Sequence, residues 1–266
     1  MYYVYLYYIG DVLVYIGKAT GNPYTRYWNH VKKEHTWQSG CFSAVNKVGI
    51  IHFHSQAEME ICELFLIVTK KPLWNTRDVY PTIEPLLNVR NIPEEKIYSI
   101  KEFFVCYGNN KANNMHVFED IFTELDVEYY RKQQLLQSRT HHPEGRVYLY
   151  YAGTELMYIS SSVGHLKHKQ FVAHFETLAR NGADFSIVDR IDVLSFATNA
   201  EANIYEKYCM ATKCPRWMTD NPLWNCECKL DVDKFRALES LPEEQVERLC
   251  REMDDTIERI CGKSIK

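Results

Sequence analysis

Residues 3–17 read YVYLYYIGDVLVYIG. The two runs of aromatic and β-branched residues in this stretch suit pleated strands, and Gly10-Asp11 between them supplies the turn of a hairpin. The same pentapeptide, VYLYY, returns 143 positions later, so that residues 4–8 fall on 147–151. At that constant offset 4–69 aligns with 147–212 without a gap and with 19 identities, among them Gly10/Gly153, Tyr15/Tyr158, Phe42/Phe185, Ala57/Ala200, Glu58/Glu201 and Glu63/Glu206. Beyond a seven-residue insertion, Pro222-Leu223-Trp224-Asn225 repeats the PLWN of Pro72-Leu73-Trp74-Asn75. Self-similarity of this extent marks a duplicated module.

Within the first copy, pattern places the other elements. Strands are expected over 2–9 and 13–17. Asn22 caps a helix with Pro23 at its first position and Tyr27, Trp28 and Val31 in helical register. Residues 48–53 form a third strand. Ser55, with Glu58 three residues on, is a capping box opening a helix that runs to about Lys70 and stops at Pro72; Thr198 and Glu201 repeat it. The fold expected is α+β: two modules, each a small three-stranded antiparallel sheet flanked by helices, with helical segments after each. The modules span 1–75 and 146–225. Between them 76–145 reads as a helical linker, with an amphipathic stretch opened by Pro93-Glu94-Glu95 and a helix over about 117–137. Residues 226–266 read as a helical tail opened by Leu241-Pro242-Glu243-Glu244.

Composition narrows the class. A chain of 266 residues that is 46% hydrophobic and 25% charged is globular. No apolar run approaches the roughly 20 residues of a membrane span, and the first residues carry no basic leader, so no signal peptide and no anchor are expected. Nine cysteines without a secretion signal point to free thiols in a reducing, intracellular setting, cytoplasmic or nuclear. Cys209, Cys214, Cys226 and Cys228 cluster, but their spacing departs from the paired C-x2-C knuckles of structural zinc, and both a zinc site and free thiols stay open. The net charge of −4 argues against a protein that coats nucleic acid non-specifically; residues 1–75 alone sum to +2.

The first copy resembles the GIY-YIG nucleases. That family carries one tyrosine in strand one and a second in Tyr-x-Gly at the end of strand two, then an arginine and a histidine one turn apart on the next helix, a glutamate on a later helix and an asparagine beyond it. Here these are Tyr5, Tyr15-Ile16-Gly17, Arg26, His30, Glu63 and Asn75, with Lys18 after the glycine. Tyr3 stands where the family name has its first glycine, a backbone position that carries no reactive group. The resemblance covers 3–75 well and 147–225 in part. It implies that Tyr5, Tyr15, Arg26, His30, Glu63 and Asn75 are catalytic, that Gly17, Lys18 and Lys33 meet substrate, and that Glu63 holds Mg²⁺ or Mn²⁺.

The chemistry of these residue types agrees. Phosphodiester hydrolysis needs a water nucleophile, a base, positive charge on the phosphoryl oxygens and help for the leaving alkoxide. A single carboxylate can hold a hard ion that keeps most of its waters, and an arginine fork matches two phosphate oxygens. Arg26 and His30, four apart, share one helix face. Tyr5 or Tyr15 is the base if nearby positive charge or a metal acidifies its phenol. Each residue alone has an ordinary reading: strand tyrosines pack, and an arginine and a histidine on a helix face are usually solvated. The joint spacing favours the site.

The second copy retains Tyr148, Tyr158, Glu206 and Asn225, but Gly17 becomes Ser160, Lys18 becomes Ser161, Arg26 becomes Lys169 and His30 becomes Ala173, with His174 one place away. It reads as a degenerate, inactive site kept for packing or for gripping substrate. Trp74 and Trp224 read as core anchors. The function expected is metal-dependent endonucleolytic cleavage of nucleic acid, DNA before RNA, by a monomer with an internal pseudo-two-fold or a homodimer. The alternative is a catalytically idle nucleic-acid- or protein-binding protein on the same scaffold.

Overall fold

The computed structural model describes residues 1–32, 42–76, 78–108, 124–138, 144–163, 172–233 and 239–264. The chain is mixed α+β and divides into two compact units. Unit 1 holds Met1–Pro85, Val89–His141 and Lys229–Asp231; unit 2 holds Leu86–Asn88, His142–Cys228 and Val232–Lys266.

In unit 1, β1 (Tyr2–Ile9) and β2 (Val12–Thr20) form the hairpin, with Gly10 at φ 59° in the left-handed region that glycine enters freely. α1 (Pro23–Lys32) opens where Asn22 Oδ1 accepts the Tyr24 amide at 2.9 Å. β3 (Lys47–Phe53) pairs antiparallel with β1. α2 (Gln56–Lys70) carries the Ser55/Glu58 capping box and ends at Lys71 in the left-handed region. The short strand β4 (Asn88–Arg90), β5 (Lys96–Ser99), α3 (Ile100–Tyr107) and α4 (Glu124–Ser138) follow along the chain.

β5 pairs antiparallel with β3, so the sheet runs β2-β1-β3-β5. Four strands stand where sequence alone suggests three. The stretch KIYS is too short to show alternation, and it becomes a strand because the edge of β3 offers it unpaired backbone groups. The expected helix over 117–137 is present as α4 from Glu124; its first residues lie outside the described chain. Alternation along β1 points Tyr3, Tyr5 and Tyr7 into one cluster with Tyr27, Phe42, Trp74 and Phe103, all buried. The rings of Tyr7 and Tyr27 meet edge to face at 5.6 Å, and Phe42 meets Trp74 the same way at 5.0 Å.

In unit 2, β6 (Gly145–Ala152), β7 (Glu155–Val163), α5 (Val172–Arg180), β8 (Arg190–Phe196), α6 (Asn199–Lys213), β9 (Asp231–Asp233), β10 (Glu239–Ser240) and α7 (Glu243–Ser264) follow in order. Its sheet runs β7-β6-β8-β10, the same order as the first. The likeness extends to detail: the register shifts between Tyr7 and Tyr8 in one hairpin and between Tyr150 and Tyr151 in the other. Ser240 lies opposite Asp192 as Ile97 lies opposite Gly49, again 143 apart. The two helical tails of the sequence reading are therefore parts of the repeat, each entered through a fourth strand.

The structure revises the end of the alignment. Lys71 and Cys214 are both left-handed helix caps, at φ 49° and 47°, and are 143 apart. Trp217 lies 5.0 Å from Phe185, as Trp74 lies 5.0 Å from Phe42. The repeat thus continues without a gap through Pro215 and Trp217, and there is no insertion within it. The second PLWN lies farther along, where Trp224 is half-buried and donates its Nε1 hydrogen to Pro215 O at 3.0 Å. Trp217, not Trp224, is the buried anchor of unit 2. The seat for an indole is set by where the preceding helix ends, which a four-letter identity does not report.

Among the described residues no helix is long and apolar enough to cross a membrane, and Cys62, Cys106, Cys214, Cys226 and Cys250 are free thiols. No group of three or more metal-binding side chains occurs among the described residues, the four clustered cysteines included.

Candidate active site

The hairpin brings Tyr5 and Tyr15 to one face of the unit 1 sheet. Tyr5 pairs with Gly17 and Tyr7 with Tyr15 across β1 and β2, which stacks the Tyr5 and Tyr15 rings with centroids 6.2 Å apart. Gly17 is required by this packing: a Cβ there would stand 2.5 Å from Tyr5 Oη. This glycine is the floor beneath a tyrosine.

α1 delivers His30 to the same place. His30 is buried, against the ordinary expectation of a solvated helix face, and its Nε2 lies 3.0 Å from Tyr5 Oη. Phe42 stacks on its ring at 4.7 Å, and the Tyr15 ring meets it at 5.0 Å. Arg26, one turn earlier, is exposed, with its guanidinium near the two phenols.

α2 supplies Glu63, which pairs with Lys18 at 2.9 Å, Nζ to Oε2. The two line a cleft of about 600 Å³ together with Tyr15, Trp74, Asn75, Thr76 and Asp78. Thr76 and Asp78 were not foreseen, because nothing in their spacing links them to the motif. Asn75 is in place but engaged: its Oδ1 accepts the Ile16 amide and its Nδ2 donates to Ile16 O, both at 2.9 Å. Its amide ties the chain beyond α2 to the edge of β2. Lys33 lies outside the described residues.

Burial raises both phenols. The Tyr5 hydroxyl is held far above its usual range, with the charge of Arg26 offsetting only part of the effect, and Tyr15 is pushed up to about 12 by burial and by Glu63. At both phenols loss of solvent outweighs the charge of Arg26.

Unit 2 assembles the corresponding positions differently. Tyr148 and Tyr158 are buried strand residues. Ser161, in the place of Lys18, donates to Glu206 Oε2 at 2.5 Å, with Asn203 Oδ1 at 2.9 Å from the same hydroxyl. Burial pushes the Glu206 carboxyl up, and the hydrogen bonds with Ser161 and the charge of Lys207 offset only part of the effect. Asn225 does not repeat Asn75: its Oδ1 faces the Cys214 thiol at 3.6 Å, and the position 143 after Asn75 is the buried Met218. Lys169 lies outside the described residues.

A carboxyl whose folded pKa is raised binds protons more tightly in the folded state, so stability falls as pH rises from the unfolded carboxylate pKa through the folded one. The wild type is expected to lose urea resistance across that window relative to Glu206→Gln, which should show a flatter pH profile. Parallel profiles would mean that Glu206 is ionised as freely as an exposed carboxylate.

No protein-family model, no curated protein and no solved structure matches this chain.

Proposed function

We propose that unit 1 is a divalent-metal-dependent endonuclease of GIY-YIG type that hydrolyses phosphodiester bonds of nucleic acid, DNA before RNA, and that unit 2 is its inactive duplicate. The observation that carries this reading is that Tyr15 links two groups: it lines the cleft with Glu63 and Lys18, and its ring meets Tyr5 and His30, whose Oη and Nε2 are 3.0 Å apart.

The residues present fit Mg²⁺ or Mn²⁺. Glu63 opens onto a cleft with room for an ion that retains its waters, and its carboxylate already attracts a cation, the Lys18 ammonium. Glu63 would hold the ion, which when bound supplies positive charge to the phosphoryl oxygens. The exposed Arg26 guanidinium would grip two phosphate oxygens. Lys18, released from Glu63, would add a point charge beside them.

Proton transfer follows from the raised phenols. A neutral Tyr5 can accept a proton from water only as it passes its own onward. With His30 in the Nδ1–H tautomer, Tyr5 Oη–H donates to Nε2, so the water proton moves to Oη while the phenol proton moves to the imidazole. No free phenolate is needed, which suits a hydroxyl in this buried setting. The rate should therefore stay level through the alkaline range to about pH 9.5 and not climb with ionisation of a phenol. A rate that climbs tenfold per pH unit through that upper range would reject the relay in favour of a phenolate base.

The defining test incubates the full chain with supercoiled plasmid, single-stranded DNA and RNA, each with Mg²⁺, Mn²⁺ or EDTA. Metal-dependent cleavage supports the reading. A folded protein that binds nucleic acid and cuts none of these substrates moves the function to the idle binding scaffold.

A further inference from the structure

We propose that Gln134, on α4 in the segment that reads as a linker, is a positioning residue that sets the register of the site's β2 edge; the inference rests on the nuclease reading above for its effect on rate. Its side chain is buried, and its Nε2 lies within reach of three main-chain carbonyls: Pro72 O at 2.6 Å, Leu73 O at 3.1 Å and Asn75 O at 3.2 Å. A carboxamide has two hydrogens to share among them and an acceptor beside them, a combination that only asparagine, one methylene shorter, also offers. Arg131 holds the amide in this sense: its Nη1 donates to Gln134 Oε1 at 3.1 Å and to Lys71 O at 2.6 Å.

These carbonyls belong to a strap that leaves the end of α2, where backbone groups have lost their helical partners. On its other side the strap is laid along β2. Trp74 N donates to Val14 O at 2.7 Å, Leu73 N reaches Leu13 O at 3.4 Å, and the Asn75 amide brackets Ile16. Ile16 lies between Tyr15 and Gly17, with Lys18 next. Trp74 packs on Phe42, which stacks on His30. One buried amide thus fixes the strap, and the strap fixes both the strand carrying Tyr15 and Lys18 and the ring that supports His30. Gln134 touches none of the reacting groups. A slip of the strap by one residue would move Asn75 off Ile16 and turn the wrong face of the chain to β2.

The test compares wild type with Gln134→Met, which keeps length and volume but has no donors, and with Gln134→Lys, which restores donors without the amide oxygen. Two quantities are read: steady-state cleavage, and amide hydrogen exchange at Ile16 with Ile50 in β3 as the reference. Gln134→Met is expected to speed exchange at Ile16 at least tenfold relative to Ile50. It should lower kcat about 10–100-fold, the range for a supporting residue, with KM within about twofold, and Gln134→Lys should recover part of both losses. If Gln134→Met does not fold, Gln134→Asn, one methylene shorter, replaces it in both measurements. Equal acceleration at Ile16 and Ile50, or unchanged kcat in an active protein, would reduce Gln134 to general stability and overturn the proposal. A wild type that cuts nothing refutes the nuclease reading instead, and exchange at Ile16 then still decides whether Gln134 sets the strap.

Discussion

Glu63→Gln removes metal-dependent cleavage, by about 10³-fold or more, and leaves the fold intact. The substitution keeps the shape of the side chain and takes away the one carboxylate of the α2 motif that meets the cleft beside Lys18. Electrostatic stabilisation aimed at developing charge is commonly worth about 10²–10³ in rate for one donor, and loss of a metal ligand exceeds that. The structural cost is small, because the Lys18 partner is 38% exposed and pairs of that kind contribute about 0–1 kcal/mol. Thermal denaturation should shift by only a few degrees. Glu206→Gln is the paired control and should cut at the wild-type rate, since its carboxyl is closed in against Ser161. A folded Glu63→Gln protein that cleaves like wild type would sink the assignment of unit 1 as the catalytic unit.

Glu201→Ala is expected to destabilise unit 2 by about 3–5 kcal/mol, a large part of the stability of a domain this size. Glu201 is fully buried, and its two oxygens accept four hydrogens. Oε2 takes the Thr198 amide at 2.9 Å and the Thr198 hydroxyl at 3.0 Å; Oε1 takes the amides of Leu86 at 2.6 Å and Leu87 at 2.9 Å. Alanine leaves those donors buried without an acceptor, and each costs on the order of 1–3 kcal/mol. The counterpart in unit 1, Glu58, accepts from His54 and Ser55 at 3.3 Å and from Lys229 at 2.8 Å, a longer set. Glu58→Ala should therefore cost less. Urea unfolding combined with amide exchange at Leu86 and Leu87 measures the difference. A loss below about 1 kcal/mol at Glu201 would show that water replaces the carboxylate.

The two glutamates also show how far the repeat could be read by eye. The pattern Ser/Thr-x-x-Glu announces a helix start at Ser55 and Thr198, and both capping boxes are present. That each glutamate also gathers backbone amides from a distant stretch, Lys229 in one unit and Leu86 and Leu87 in the other, has no signature, because a backbone amide has no letter. The same blindness explains the misplaced PLWN. Identity of letters drew Asn225 onto Asn75, whereas the left-handed caps at Lys71 and Cys214 and the ring contacts of Trp74 and Trp217 identify the true partners.

Sequence by itself determined the duplication, the hairpin, the helix starts and the candidate side chains, since all of these rest on local period, capping chemistry and spacing. It located Tyr5, Tyr15, His30 and Glu63, but not what each does there. Tertiary structure alone decided that both phenols are too buried to ionise freely, that Gly17 is a floor for Tyr5, that Asn75 is spent on Ile16, and that a fourth strand and Gln134 complete unit 1. The physical reason is that desolvation and hydrogen-bond satisfaction depend on which atoms surround a group, and those atoms come from segments far away in the chain.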